Sequence, residues 1–330
     1  MNNPVIHLGL AGLGTVGSGL AKIIQENSDW ITRRLGRTLK IKTVMVRDPA
    51  KARNVVLPPD TLFTTSMVDL LNDPEIDMVE LAGGIDFPRT LITRALQAGK
   101  PVVTANKALL AEHGSELFEL AAANGLGLYY EASVAGGIPI IQTLKESLAA
   151  NRISSITGIL NGTANFIMSE MTEKGEDFAK VLGKAQAKGY AEADPTLDIE
   201  GIDAAHKLTI LIRLAYGLDF PMSGLTVKGI SKVEQFDISL AREFGYRVKL
   251  LAQVRAVLGH DVALAQVFFA RAKFRVFACA DSLQFTFYRH GVLARIHNAL
   301  DPADGVGVAL AHAFAPKRVA AAVLQHALAK

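Results

Sequence analysis

The apolar run Val5-Ile6-His7-Leu8-Gly9-Leu10-Ala11 leads without a break into Gly12-Leu13-Gly14-Thr15-Val16-Gly17. A buried strand that ends in G-x-G-x-x-G and passes into helical spacing leaves the chain few choices. The first glycine permits a tight turn, the second lets backbone approach a pyrophosphate, and the third lets the helix pack close against the strand. The helix starts with N–H groups that have no intrahelical acceptor, which favours an anion at that end. Gly12, Gly14, Thr15, Val16 and Gly17 are therefore the candidate dinucleotide-binding residues. A bare glycine turn would show the same letters; the position between strand and helix favours the ligand.

Beyond this turn, strand-like runs at 41–46, 77–81, 101–104 and 126–130 alternate with helical spacing over 15–35, 87–98 and 108–123. That alternation predicts an α/β domain: a doubly wound parallel sheet of the Rossmann type with helices on both faces. Ligands of such sheets lie outside the carboxyl ends of the strands. Arg47 stands at one such end, with Asp48, Lys51 and Arg53 nearby. This cationic group favours the 2′-phosphate of NADP, while Asp48 leaves NAD open. Gly83 and Gly84 would bring backbone close to the cofactor. Thr104-Ala105-Asn106-Lys107 closes the next strand, placing Thr104 and Lys107 for cofactor or substrate. A plain surface ammonium is the alternative for that lysine.

After Ala132 the texture changes. Gly136-Gly137-Ile138-Pro139 reads as a turn that opens a helix, with the proline in its first turn. A strand over 153–160, helices over 161–171, 177–188 and 201–216, and a strand over 246–254 follow. A boundary near 133–140 gives a first domain of 1–135 and a second, α+β domain of 136–255. Residues 256–330 read as an atypical tail. Glu243 is the last glutamate, which leaves 87 residues without one, and five of the eight histidines lie beyond Gly259. A shift of reading frame near Leu258 would produce such a break.

Composition narrows the classes further. A chain of 330 residues, half apolar and one-fifth charged, has the length for two domains and is too hydrophobic for disorder. No stretch approaches the ~20 uncharged apolar residues of a membrane helix. The net charge of +3 divides into +4 beyond residue 255 (eight Lys/Arg against four Asp) and −1 before it, so no nucleic-acid footprint is supported. Cys279 is the single cysteine, which excludes an internal disulfide framework and a thiolate metal cluster. With no basic leader at the N-terminus, a cytoplasmic setting is expected.

The densest chemistry runs from Gly189-Tyr190-Ala191-Glu192-Ala193-Asp194-Pro195-Thr196-Leu197-Asp198 into Gly201-Ile202-Asp203-Ala204-Ala205-His206-Lys207. Asp203 and Lys207 are four apart and share a helix face. A helix salt bridge of ~0.2–0.5 kcal/mol is one reading. The other is a carboxylate that holds a substrate ammonium beside a lysine that handles a proton. His206 lies about 100° around the helix from Lys207 and reads as structural.

Together with the glycine turn, TANKALLA at 104–111, YEASVAGGIPII at 130–141, GILNGTANFIM at 158–168 and GYAEADPTLDIEGIDAAHKL at 189–208 make residues 5 to about 255 resemble homoserine dehydrogenase. The resemblance implies NAD(P)-dependent interconversion of L-homoserine and L-aspartate 4-semialdehyde, on the route to threonine, methionine and isoleucine. It implies Lys207 as proton donor and Lys107 at the nicotinamide end of the cofactor. Glu192, Asp203 and Asp198 would bind the substrate, and Gly189 would approach the cofactor. Glu131, with backbone oxygens of Val134, Gly136 and Ile138, matches a monovalent-cation site, usually sodium. The second domain would also form a homodimer if intact, with no nucleic-acid or membrane partner. The family's G-x-G-A-G-x-x-P-T-A segment is not found, 304–308 (DGVGV) being the nearest run, and no regulatory ACT domain is expected. A catalytically silent homologue that at most binds nucleotide is the alternative.

Overall fold

The computed structural model describes residues 4–81, 83–256, 262–272, 286–289 and 292–295. The readings that fall on Leu258, Cys279 and 304–308 lie outside the described residues. The described chain divides into two units between Gln142 and Thr143, a few residues past the expected boundary.

In the first unit, six strands run β1 (Val5–Ala11), β2 (Thr38–Met45), β3 (Leu62–Thr64), β4 (Ile76–Leu81), β5 (Val102–Thr104) and β6 (Leu128–Tyr129). They form one sheet in the order β3-β2-β1-β4-β5-β6, and each pair is parallel. The order reverses at β1, which opens a crevice beyond the carboxyl ends of β1 and β4. The strands are apolar because helices cover the sheet. Leu8, Leu10 and Val44 share a buried cluster with Leu20 and Ile24 of α1 (Thr15–Glu26). A Cβ on Gly9 would lie 2.7 Å from the Leu70 side chain, so α3 (Met67–Leu71) rests on bare strand backbone.

The single helix expected over 15–35 is two. α1 stops at Asn27 and α2 (Ser28–Leu35) begins at once. The Asn27 side-chain amide donates to the Ile23 carbonyl at 3.1 Å, a local bond that competes with helix continuation. β3 and α3 escaped the sequence reading because three and five residues are too few to display a period. The remaining helices of this unit are α4 (Asp86–Gln97), α5 (Lys107–Ala123) and α6 (Ile140–Gln142).

The second unit carries β7 (Ser155–Gly158), α7 (Gly162–Lys174), α8 (Phe178–Ala187), α9 (Thr196–Ile199), α10 (Ile202–Tyr216), β8 (Thr226–Val227), α11 (Gln235–Glu243), β9 (Arg247–Ala256), β10 (Val262–Ala272), β11 (Thr286–Arg289) and β12 (Val292–Arg295). The sheet order is β12-β11-β7-β9-β10-β8. Along β9, Val248, Leu250, Ala252 and Val254 are buried and the residues between them are not, the alternation of a strand with one covered face. Helices α7, α10 and α11 pack on that strand.

β10 belongs to this sheet and not to a separate tail. It pairs antiparallel with β9 from Val262 opposite Ala256 to Ala272 opposite Arg247. A domain edge at 255/256 therefore falls inside β9. The pairing is non-local, and the letters of 262–272 alone show no period that would announce it.

Candidate active site

The turn after β1 is built by backbone. Gly12 holds a φ of 99°, in the left-handed region, and its N–H donates to the Met45 carbonyl at 2.8 Å. A Cβ on Gly17 would lie 2.3 Å from the Gly12 carbonyl oxygen, so α1 sits against the turn as only glycine allows. Gly14 is the N-cap, no side chain caps the helix, and a Cβ at Gly14 would meet nothing within 4 Å. The first intrahelical bond runs from Ser18 N–H to the Gly14 carbonyl, leaving the amides of Thr15, Val16 and Gly17 at an open helix start. An uncapped helix start, with open space beside Gly14, fits a pyrophosphate.

At the end of β2 the predicted cations divide. Arg53 donates to the carbonyls of Asp48 at 2.5 Å, Pro49 at 3.2 Å and Lys51 at 2.6 Å, and lies over the Phe63 ring. It ties its own loop. Asp48 is also used locally, its carboxylate accepting from Ala50 N–H at 2.9 Å. Arg47 and Lys51 are exposed.

Gly83 and Gly84 follow β4 with φ of 78° and 80°. The buried Thr104 hydroxyl accepts from Asn106 N–H at 3.1 Å. Asn106 is the N-cap of α5, its side-chain oxygen accepting from Leu109 N–H at 3.1 Å while its NH2 donates to the Gly84 carbonyl. One amide thus joins the two loops at the mouth of the sheet and sets the start of α5, where Lys107 stands. Asn106 had no role in the sequence reading. Its signal was an asparagine immediately before helical spacing.

Glu131 is buried, and its two carboxylate oxygens accept from Ile141 N–H at 3.2 Å and Gln142 N–H at 2.9 Å. It neutralises the free amides of the short α6. Ala135 and Gly136 then take φ of 61° and 49°, and the Ala135 value is a strained one for a side-chain-bearing residue. Val134 and Ile138 are buried, and the Ile138 carbonyl accepts from Ile140 N–H at 2.8 Å. Among the described residues no group of three or more His, Cys, Asp or Glu could hold a metal ion.

In the second unit Lys207 is clamped. Its ammonium donates to Asp203 Oδ2 at 2.6 Å and to the Leu160 carbonyl at 2.7 Å. An ammonium has three protons, so one donor remains for a third acceptor. Asp203 is buried and shares the same Oδ2 with the side-chain NH2 of Asn161 at 2.9 Å. That NH2 also donates to Asp198 Oδ1 at 2.6 Å. Burial pushes the Asp198 carboxyl above the usual aspartate range and the charge of Asp203 adds to this, while the hydrogen bond from Asn161 pulls the other way.

Glu192 is exposed and takes no part in that cluster. Its backbone carbonyl accepts from the Gln186 amide at 3.1 Å. Gly189 closes α8 with a φ of 71°, and the Tyr190 carbonyl beside it accepts from the Thr163 hydroxyl. His206 is buried within α10. Of the second-unit candidates, then, Lys207, Asp203 and Asp198 meet through Asn161, a residue quoted in the sequence motif without a role.

An ammonium held on two acceptors in a largely buried setting, with a donor to spare, can protonate a developing alkoxide. A glycine turn beyond a parallel sheet can seat a dinucleotide. Comparison with known proteins agrees. The family profile described as "Homoserine dehydrogenase, NAD binding domain" matches residues 12–131, and "Homoserine dehydrogenase" matches 139–286, which includes β10. The homoserine dehydrogenase of Neisseria gonorrhoeae is 50% identical over 251 residues, covering 76% of this chain and 57% of that protein. That of Bacillus subtilis is 47% identical over 247 residues, covering 74% and 57%. The chain spans a little over half the length of these curated relatives. The crystal structure of a homoserine dehydrogenase from Thiobacillus denitrificans superposes with a TM-score of 0.84 at 42% identity, covering 98% of this chain and 74% of that one. By both domains and their order, this chain belongs to the homoserine dehydrogenase family.

Proposed function

We propose that this protein interconverts L-homoserine and L-aspartate 4-semialdehyde with a nicotinamide dinucleotide. The observation that carries the reading is the Lys207 ammonium, fixed by Asp203 and Leu160 with one donor left over. When bound, the nicotinamide would supply or accept the hydride. Everything else belongs to the chain. As the aldehyde oxygen gains negative charge, the Lys207 ammonium stabilises it and delivers a proton. In the oxidative direction the same amine takes the hydroxyl proton. Asp203 and Asp198 bring two carboxyls against one ammonium, and a second cation, the amino group of homoserine, suits them. Glu192 joins as a further carboxylate for that group, Lys107 orients the reacting end, and Gly189 approaches the cofactor.

The amides of Thr15, Val16 and Gly17 hold the pyrophosphate. NADP is the preferred nucleotide, because Asp48 is spent on its own turn and Arg47 is exposed to receive a 2′-phosphate. Sodium is proposed at Glu131 with the backbone oxygens of Val134, Gly136 and Ile138; a buried carboxylate beside backbone carbonyl oxygens is the oxygen-only set that suits a hard monovalent ion. The protein acts as a cytoplasmic homodimer through its second domain. The silent-homologue alternative is the weaker reading, since the lysine and its acceptors are all in place.

The test is direct. Purified protein with L-homoserine should form NADPH, more efficiently than NADH, and faster as the pH rises from about 7 to 10 because Lys207 must lose a proton to act as base. Absence of turnover with either nucleotide, or a flat oxidation rate over that range, would overturn it.

A further inference from the structure

Both acceptors of the Lys207 ammonium are anchored at the junction of β7 and α7. One is direct, the Leu160 carbonyl at 2.7 Å. The other, Asp203, is reached through the next residue, Asn161. Asn161 is 3% exposed, and its side-chain oxygen accepts from Ala164 N–H at 2.7 Å as the N-cap of α7. That bond decides which way the amide faces. Turned over, it would oppose NH2 to an N–H and oxygen to two carboxylates. The two Nδ2 protons therefore meet Asp198 Oδ1 and Asp203 Oδ2, the latter being the oxygen that grips Lys207.

We propose that Asn161 is a positioning residue for proton transfer: capped onto α7, it holds Asp203 where that carboxylate fixes the Lys207 ammonium, and holds Asp198 beside it. The inference rests on Lys207 as proton carrier. Two carboxyls this close repel, and a neutral donor to both is what allows them to stand around one ammonium. Among the described residues, the groups bonded into the Lys207 cluster are Asp203 on its own helix, Asp198 from α9, and the Leu160 carbonyl and Asn161 from the start of α7. Of these, Asn161 alone touches both acids and a helix start. Ordering the lysine thus depends on an amide that need not contact substrate.

Asn161→Asp and Asn161→Ser separate this role from capping. Asp and Ser cap helices about as well as Asn, but neither can donate to both acids, and Asp adds a third carboxylate. Both variants keep the cap, so the stability they lose reports the two acids left without their donor, more in Asn161→Asp than in Asn161→Ser. Oxidation kcat should fall about tenfold or more with the KM for nucleotide unchanged. The limb on which oxidation kcat climbs with pH should move to higher pH in Asn161→Asp, where extra negative charge favours the ammonium, and less in Asn161→Ser. Wild-type kcat and an unmoved limb in both variants would reduce Asn161 to a helix cap and overturn the proposal.

A measurement on the wild-type protein stands if either variant fails to fold. The two Asn161 side-chain N–H resonances should be protected from exchange and should move as Asp198 titrates. Rapidly exchanging, pH-insensitive resonances overturn the inference. Wild-type protein that turns over no homoserine defeats the functional reading instead, and the amide resonances then decide by themselves whether Asn161 holds the two acids.

Discussion

The dinucleotide turn and the lysine cluster are made by opposite means. Around Gly12 and Gly17 the structure is backbone against backbone within six residues, and side chains matter by being absent. Around Lys207 it is side chains gathered with one backbone carbonyl, drawn from the β7–α7 junction, α9 and α10. The first kind of site tolerates few letters and announces itself. The second tolerates many letters at each position and becomes visible only when the segments meet.

The comparison predicts where substitutions hurt and how. Lys207→Met should cost most, about 100- to 10,000-fold in kcat in steady-state assays, the range for loss of a positioned acid or base. The dissociation constant for nucleotide should stay as in wild type, because the turn is untouched. A variant with undiminished kcat would remove the cluster from the chemistry.

Two glycines sharpen the other side. Gly17→Ala places a methyl 2.3 Å from a backbone oxygen, so α1 must move. A loss of about 1–3 kcal/mol in denaturant unfolding is expected, as for overpacking, together with weaker nucleotide binding. Gly14→Ala meets nothing within 4 Å at an ordinary φ of −83°, so stability should hold while nucleotide affinity, followed by fluorescence titration, falls. Unchanged affinity in Gly14→Ala would mean that the pyrophosphate does not lie there.

These differences explain what the sequence displayed. The parallel sheet was legible because each strand is a short apolar run between helical periods. The glycine roles were legible because Gly12, Gly14 and Gly17 lie within one turn. Asp203 and Lys207 were legible as neighbours by their spacing of four. Asn106 and Asn161 were not, because an asparagine before a helix advertises its cap and hides the other half of its amide. In Asn106 that half goes to a neutral carbonyl at Gly84; in Asn161 it goes to two acids. β10 was hidden for a related reason: its partner, β9, had to be in place before 262–272 could read as a strand.

The two caps can be set against each other. Asn106→Ala removes an N-cap and the bond to Gly84, and should lower stability by about 1 kcal/mol. Asn106→Asp keeps the cap and places its second oxygen near the Gly84 carbonyl, so its cost should reflect one lost donor alone. Thermal unfolding of the pair measures the difference. Equal destabilisation by Ala and Asp would show that the bond to Gly84, not the cap, sets the start of α5.

The smallest effect concerns two aspartates four residues apart. Asp198 has its carboxyl raised by burial and by Asp203, so the folded state binds its proton more tightly than the unfolded chain does. The stability this confers is whole below the ordinary aspartate value of about 3.9 and is lost as the pH rises through the raised folded value. Asp194 has its carboxyl lowered by the Thr196 hydroxyl and backbone N–H. Its contribution is present above the ordinary value and fades in acid, through the lowered one. Asp198→Asn should therefore match wild type in acid and become the more stable protein toward neutrality. Carboxyl carbon titrations should show the two aspartates on opposite sides of the unfolded value. If Asp198 titrates at or below it, the raised carboxyl is gone and the Asn161 amide is strong enough to keep both acids ionised.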